Sequence, residues 1–302
     1  MPKNSKVSAK HPEIKLLDSW IDCFENCNKT KPIYTHQLYT LKSSCPQDIC
    51  DQLFEYIKHA HAGAIEALRA PLADRLHPCD YGTKKDPAFG YPHKLEIVTK
   101  QGFFGEIFGG IIAENYVDSG GYEWEVPAYL FKFHITAFQS LERSRQTDDY
   151  TRKVVGRTGD DGLAFARDAE GNIVAWLAIE AKCTSDHSAN LISSNHQKLS
   201  EPTASPIDLL RMIDALGDYK DDTYQQKWIA TLKDFYLADT NSVQRYDLSV
   251  YVYSRPPKKQ DTWIPKDKPH NEYTGNRGLC SAEFYSPEIV SLIQKIYDNF
   301  EA

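Results

Sequence analysis

The residues best suited to chemistry are Asp160 and Asp161, which stand just ahead of one apolar segment, and Glu180 and Lys182, which close the next. Leu163-Ala164-Phe165-Ala166 reads as a short strand. Asp168-Ala169-Glu170-Gly171-Asn172 carries turn chemistry, and Ile173 to Ile179 is apolar at every position. A run of that kind is expected to be a strand buried on both faces, in the interior of a sheet. Strand side chains alternate, so Glu180 and Lys182 share a face, and the hairpin brings an aspartate beside them.

If Asp161, Glu180 and a third acid, Glu106, converge, the chemistry follows from charge. Two carboxylates ~4 Å apart repel by roughly 4 kcal/mol at the effective dielectric of a partly buried site. Lys182 offsets one charge and leaves the group net negative. The natural occupant is a hard divalent cation with oxygen ligands. Mg²⁺ fits best, with Mn²⁺ as a substitute, because it is commonly held by one or two carboxylates and completed by water and phosphate oxygens. Such an ion acidifies a bound water and stabilises charge on a phosphodiester, and Lys182 beside it would orient that water. Asp161 is favoured as the ligand, with Asp160 the competing candidate or a partner of the turn backbone. The plain alternative is a buried Glu180–Lys182 or Asp161–Lys182 ion pair at a strand end.

These groups need elements to position them. The spacing predicts a helix over about 104–116, with Phe104, Ile107, Phe108, Ile111 and Ile112 as its core stripe and Glu106, Gly109, Gly110 and Ala113 opposite. Small residues there let another element approach closely. Upstream, helices are expected over 12–24 (Ile14, Leu17, Trp20, Ile21, Phe24) and from Pro46 to about Ala70, the latter carrying His59 and His61 on different faces. Residues 71–100 are loop-rich and mark a boundary. Tyr129 to Thr136 reads as a strand. Beyond the hairpin, Ser205-Pro206-Ile207-Asp208 opens a helix that Gly217 closes. A further helix covers about 224–237, Tyr246 to Tyr253 is a strand, and a last helix opens at Ser286-Pro287-Glu288. Two basic segments are candidates for phosphate contacts: Arg143, Arg145, Arg152, Lys153 and Arg157, and the Pro-rich loop from Arg255 to Arg277 with Lys258, Lys259 and Trp263.

Composition narrows the class. At 41% hydrophobic and 25% charged, the 302 residues read as a folded chain rather than a disordered one. No apolar run approaches the ~20 residues that span a bilayer, and the basic Met1 to Lys6 lacks the apolar core of a signal peptide, so a cytoplasmic protein is expected. Seven cysteines without paired CxxC spacing argue for reduced thiols rather than zinc. No Gly-x-Ser-x-Gly elbow, phosphate loop or dinucleotide glycine motif is present. His196-Gln197-Lys198 begins like a phospholipase-type motif, but Thr203 stands where its aspartate would be required. Cys183 should point away from Lys182 as a buried thiol.

Glu106, Asp161 and Glu180-x-Lys182 together resemble the PD-(D/E)xK nuclease superfamily, over about 101–200. The resemblance implies an α/β (α+β) restriction-endonuclease-like core, a mixed central sheet flanked by helices. Residues 1–100 would form a helical N-terminal module and 101–302 the nuclease domain. Carried over by position, Asp161 and Glu180 would bind Mg²⁺, Lys182 would serve the water, and Glu106 would aid a metal or position Lys182. The motif's proline is absent, since Gly159-Asp160 occupies its place, which leaves the two aspartates as alternatives. Within the superfamily, the chain's size, its N-terminal module and the Gly-Glu helix resemble the HamA nucleases of Hachiman-type antiphage systems, which act beside a helicase. The expectation is a metal-dependent DNA endonuclease of prokaryotic defence. The net charge of −7 suggests that a helicase or ATPase partner helps hold the DNA. Rival readings are a non-catalytic scaffold of the same fold and an RNA or repair nuclease.

Overall fold

The computed structural model describes residues 10–14, 17–28, 33–69, 86, 88–133, 161–201, 206–219, 223–238 and 243–300. They form an α/β fold built on one six-stranded mixed sheet. Its strands are β1 (Ile21–Asn28), β2 (Tyr34–Leu41), β3 (Gly162–Arg167), β4 (Ile173–Thr184), β5 (Gln244–Tyr253) and β6 (Leu279–Tyr285), in the order β1-β2-β6-β5-β4-β3. The four inner strands β2, β6, β5 and β4 run parallel, and β1 and β3 close the two edges antiparallel. Inner parallel strands are covered on both faces, and β5 accordingly is buried from Arg245 to Tyr253.

One face of the sheet is covered by α2 (Gln47–Arg69), α3 (Ile97–Tyr116) and α7 (Ile289–Asp298), whose apolar residues merge with Ala175, Leu177, Ile179 and Ala181 of β4. The other face carries α4 (Ala189–Leu199), α5 (Pro206–Leu216) and α6 (Thr223–Leu237), which link β4 to β5. Leu209, Met212, Leu216, Trp228 and Leu232 pack there on Leu163, Phe165, Trp176 and Ala178. Helix α3 is buried nearly all round. A Cβ at Gly109 would stand 3.0 Å from Ile179 Cγ2, and one at Gly105 3.3 Å from Cys183 Cβ. Two glycines on one side are what let α3 lie directly on β4, at the known cost of glycine in a helix.

The N-terminal region departs from the expected helical module. Residues 12–24 give only a four-residue helix α1 (Leu17–Trp20), after which the chain turns into β1, where Phe24 is 59% exposed. β1 pairs along its whole length with β2, and β2 pairs with β6, so this region is woven into the same sheet as residues beyond 100. Pairing of the backbone outweighs a helical stripe of only five apolar residues. The described part of the expected strand Tyr129 to Thr136 also differs, since Phe131–Phe133 is a 3₁₀ turn; residues 134–136 lie outside the described residues. No helix among the described residues is long and apolar enough to cross a membrane.

Candidate active site

The register of the hairpin positions the acids. Gly162 lies opposite Ile179 in the antiparallel β3–β4 pair, so Asp161, one residue earlier, faces Glu180, one residue later. Asp161 Oδ2 accepts the Ala181 amide at 3.0 Å, which fixes that carboxylate against β4. Lys182 Nζ then reaches three oxygens: Glu180 Oε1 at 2.5 Å, Asp161 Oδ2 at 3.1 Å and the Ala181 carbonyl at 3.1 Å. The three residues predicted to converge from the hairpin do meet, at the carboxyl-terminal end of β4.

A fourth group joins them that sequence reasoning passed over. Lys198, on the last turn of α4, bonds Glu180 Oε2 and stands 3.4 Å from Asp161 Oδ1. Each of the four carboxylate oxygens thus contacts an ammonium, Lys182 taking one pair and Lys198 the other. Helix α4 is fastened for this purpose. Asn195 Nδ2 donates to the Glu180 carbonyl at 3.1 Å and to Ser249 Oγ at 2.9 Å. His196 donates from Nδ1 to the Ile192 carbonyl at 2.8 Å, which leaves Nε2 to accept from Ser281 Oγ at 3.2 Å. Burial lowers the His196 pKa to about 4, so the ring is neutral. Ile192, Asn195, His196 and Leu199 form an inward stripe at helical spacing in which two members are polar. Polar residues in a core stripe must find partners, and that is the signal that could have drawn α4 into the site.

The electrostatics are those of a partly closed site. The Glu180 side chain is 2% exposed, against 25% for Lys182 and 29% for Lys198. Burial, and after it the charge of Asp161, pushes the Glu180 carboxyl up to about 8, while the two lysines pull it down. Burial alone would lower both lysines, but Asp161 and Glu180 hold each above its ordinary value. Both ammonium groups therefore stay charged through neutral pH.

The cluster is not the net-negative one expected from the sequence: with Lys198 beside Lys182, two ammoniums balance two ionised carboxylates, so a divalent cation would have to displace Lys182. Lys182 Nζ marks a point where two carboxylates and a backbone carbonyl converge, the donor chemistry that Mg²⁺ or Mn²⁺ prefers. Asp161, Glu180 and the Ala181 carbonyl are the groups that would hold it. Among the described residues no three His, Cys, Asp or Glu side chains are grouped to hold a metal.

The remaining candidates are placed differently. Glu106 is buried on α3, whose Gly105 and Gly109 pack on the face of β4 bearing Ile179, Ala181 and Cys183; Glu180 and Lys182 project from the other face. Its charge is felt by the hydroxyls of Tyr91, Tyr129 and Tyr297, which burial above all holds above their ordinary values. Cys183 packs against Gly105, and burial pushes its thiol up. Lys258 and Lys259 are exposed in the loop after β5. In that loop Trp263 stacks on His187 with ring centroids 3.4 Å apart and donates Nε1–H to the Arg255 carbonyl. The buried Glu283 accepts the Trp263 and Ile264 amides and contacts His36 Nε2 at 3.0 Å, which docks the loop on the sheet. Asp160, Arg143, Arg145, Arg152, Lys153 and Arg157 lie outside the described residues. His59 and His61, both buried, bond His11 and the hydroxyls of Tyr91 and Tyr297 respectively.

No protein-family model matches the chain, and no curated protein matches it either.

Proposed function

We propose that the chain is a metal-dependent nuclease that hydrolyses phosphodiester bonds in DNA. The observation that carries this reading is the convergence of Asp161, Glu180 and the Ala181 carbonyl on Lys182 Nζ, with Lys198 on the second oxygen of each acid. A sheet whose edge hairpin carries an aspartate and a Glu-x-Lys, followed by a helical crossing to a parallel strand, supports the restriction-endonuclease-like core that the sequence suggested. A divalent cation on those oxygens would acidify a water and neutralise phosphoryl charge. The cation would take the point that Lys182 Nζ now occupies, and the displaced ammonium would then orient the attacking water and donate to the phosphoryl oxygens as their charge grows. Ser249 and Asn195 fix the backbone at Glu180, so the carboxylate keeps its aim. The acidic balance of the chain supports a helicase or ATPase partner that holds the DNA, and with it a cytoplasmic role in antiphage defence.

The experiment is plasmid nicking by the purified chain, alone and with its ATPase partner, in Mg²⁺ or Mn²⁺, wild type against Lys182→Ala. Nicking by wild type that Lys182→Ala abolishes supports the reading, and a parallel RNA panel assigns the substrate. One observation favours a second reading, a non-catalytic scaffold: with both carboxylates ionised, the two acids and two lysines cancel, as in a structural ion-pair network. Absence of nicking under either metal with the partner present would favour it.

A further inference from the structure

We propose that Lys198 is the residue through which this site grips a phosphate of its substrate, a second cationic contact distinct from Lys182. The inference rests on the phosphodiesterase reading above and extends it to a residue outside the Glu-x-Lys pattern.

Three observations carry it. First, Lys182 contacts one oxygen of each carboxylate and Lys198 the other, so each acid keeps an ammonium contact when Lys198 turns to an anion. Second, α4 is tied to three strands, which holds the Lys198 stem at the cluster while the side chain stays 29% exposed. Asn195 ties the helix to β4 and β5, His196 ties it to β6, and the Leu199 carbonyl next to Lys198 accepts from Arg245 at 3.1 Å and Arg277 at 2.6 Å. Third, the two lysines differ in how tightly they are held. Lys182 Nζ donates to three oxygens, one of them a backbone carbonyl, whereas Lys198 Nζ reaches two carboxylate oxygens only. An incoming anion therefore competes more easily for Lys198. Lysine suits the task as a compact charge on a flexible stem, able to leave a carboxylate for a phosphoryl oxygen. A phosphodiester carries one negative charge and gains another toward the transition state, and Lys198 adds a donor to that charge beside Lys182 and the proposed cation.

The test pairs binding with cleavage. Anisotropy of a short fluorescent DNA duplex in EDTA, across a salt series, compares wild type, Lys198→Met and Lys198→Arg. Loss of one phosphate contact should weaken binding by up to about tenfold at low salt. It should also make the salt slope shallower by about 0.9, with Lys198→Arg close to wild type. In the nicking assay Lys198→Met should lower kcat on the order of 100-fold. Lys198→Gln replaces Met if thermal unfolding shows that Met disturbs the fold. Wild-type affinity and slope in Lys198→Met overturn the proposal, even where nicking by wild type upholds the nuclease reading. Conversely, weakened binding in Lys198→Met without nicking by any form keeps the phosphate contact and removes the nuclease. Absence of DNA binding by wild type overturns the phosphate contact and leaves the nuclease reading to the nicking assay with the partner present.

Discussion

Two buried charge clusters sit within a few residues of each other, and they are built to opposite ends. Around Asp247 on β5, one fully buried carboxylate accepts from Arg245 Nε at 2.8 Å, Arg277 Nε at 3.0 Å and the Tyr273 hydroxyl at 2.7 Å. The same two arginines reach on to the Leu199 and Glu201 carbonyls. Around Glu180 on β4, two carboxylates meet two lysines at the open end of the strand. Arginine is a rigid fork that stays charged and locks several acceptors at once, whereas lysine is a point charge that can be exchanged for another cation or an anion. The Asp247 cluster holds the end of α4 in place, and the Glu180 cluster uses what α4 carries. The contrast separates a fastening from the proposed active site although both are groups of charges in the core.

The comparison breaks most visibly if the fastening is cut. Asp247→Ala leaves two guanidinium groups facing the gap, and urea unfolding should show a loss of about 3–5 kcal/mol. Asp161→Ala, at the better hydrated cluster, should lose clearly less in the same titration while abolishing nicking. Next in size, Lys182→Ala should lower the nicking rate by on the order of 1000-fold, and Lys182→Arg should fail to rescue it. Arg277→Lys should leave nicking close to wild type and show instead as lower urea resistance.

The pH dependence comes third. Burial and Asp161 hold the Glu180 carboxyl up to about 8, above its ordinary value near 4.3. Between those values the folded chain binds more protons at this residue than the unfolded one, so its contribution to stability falls as pH rises. Its capacity to hold a cation rises over the same window. Nicking should therefore increase by up to about tenfold per pH unit below about 8 and level off above it, and Glu180→Gln, which lacks the cation ligand, should nick at no pH. The smallest effect is expected at Asn195→Ala. Losing its bonds to the Glu180 carbonyl and Ser249 should cost about 1–2 kcal/mol in unfolding and lower nicking several-fold by loosening Lys198.

Much of the Asp161–Glu180–Lys182 cluster was legible because it is local. An aspartate before one strand and Glu-x-Lys at the end of the next are brought together by the hairpin register alone, and period-2 alternation puts Glu180 and Lys182 on one face. The close approach of α3 was legible in Gly109, since only an absent side chain allows contact with Ile179. What could not be read depends on long-range pairing. β1 and β2 look unremarkable in sequence and become strands because β6, some 240 residues later, offers β2 a partner. Strand β6 itself, Leu279–Tyr285, mixes Ser281 and Glu283 into its run and so hides its burial; those polar groups are satisfied by His196, His36 and loop amides from elsewhere in the chain. Lys198 was hidden for the same reason: its partners lie across a helix-to-sheet contact that no spacing encodes. Glu106 shows the converse. Its position on the helix suggested a role with Lys182, yet the glycines that bring α3 close also set it against the opposite face of β4.

The central claim is that Asp161, Glu180 and the Ala181 carbonyl form a seat for a hard divalent cation. Titration of the chain with Mn²⁺, followed by electron paramagnetic resonance of the free ion, tests it most directly. The account predicts a saturable site in wild type that tightens as pH rises toward 8 and is lost in Glu180→Gln with the fold intact. Equal Mn²⁺ binding by wild type and Glu180→Gln, or none by either, would contradict it.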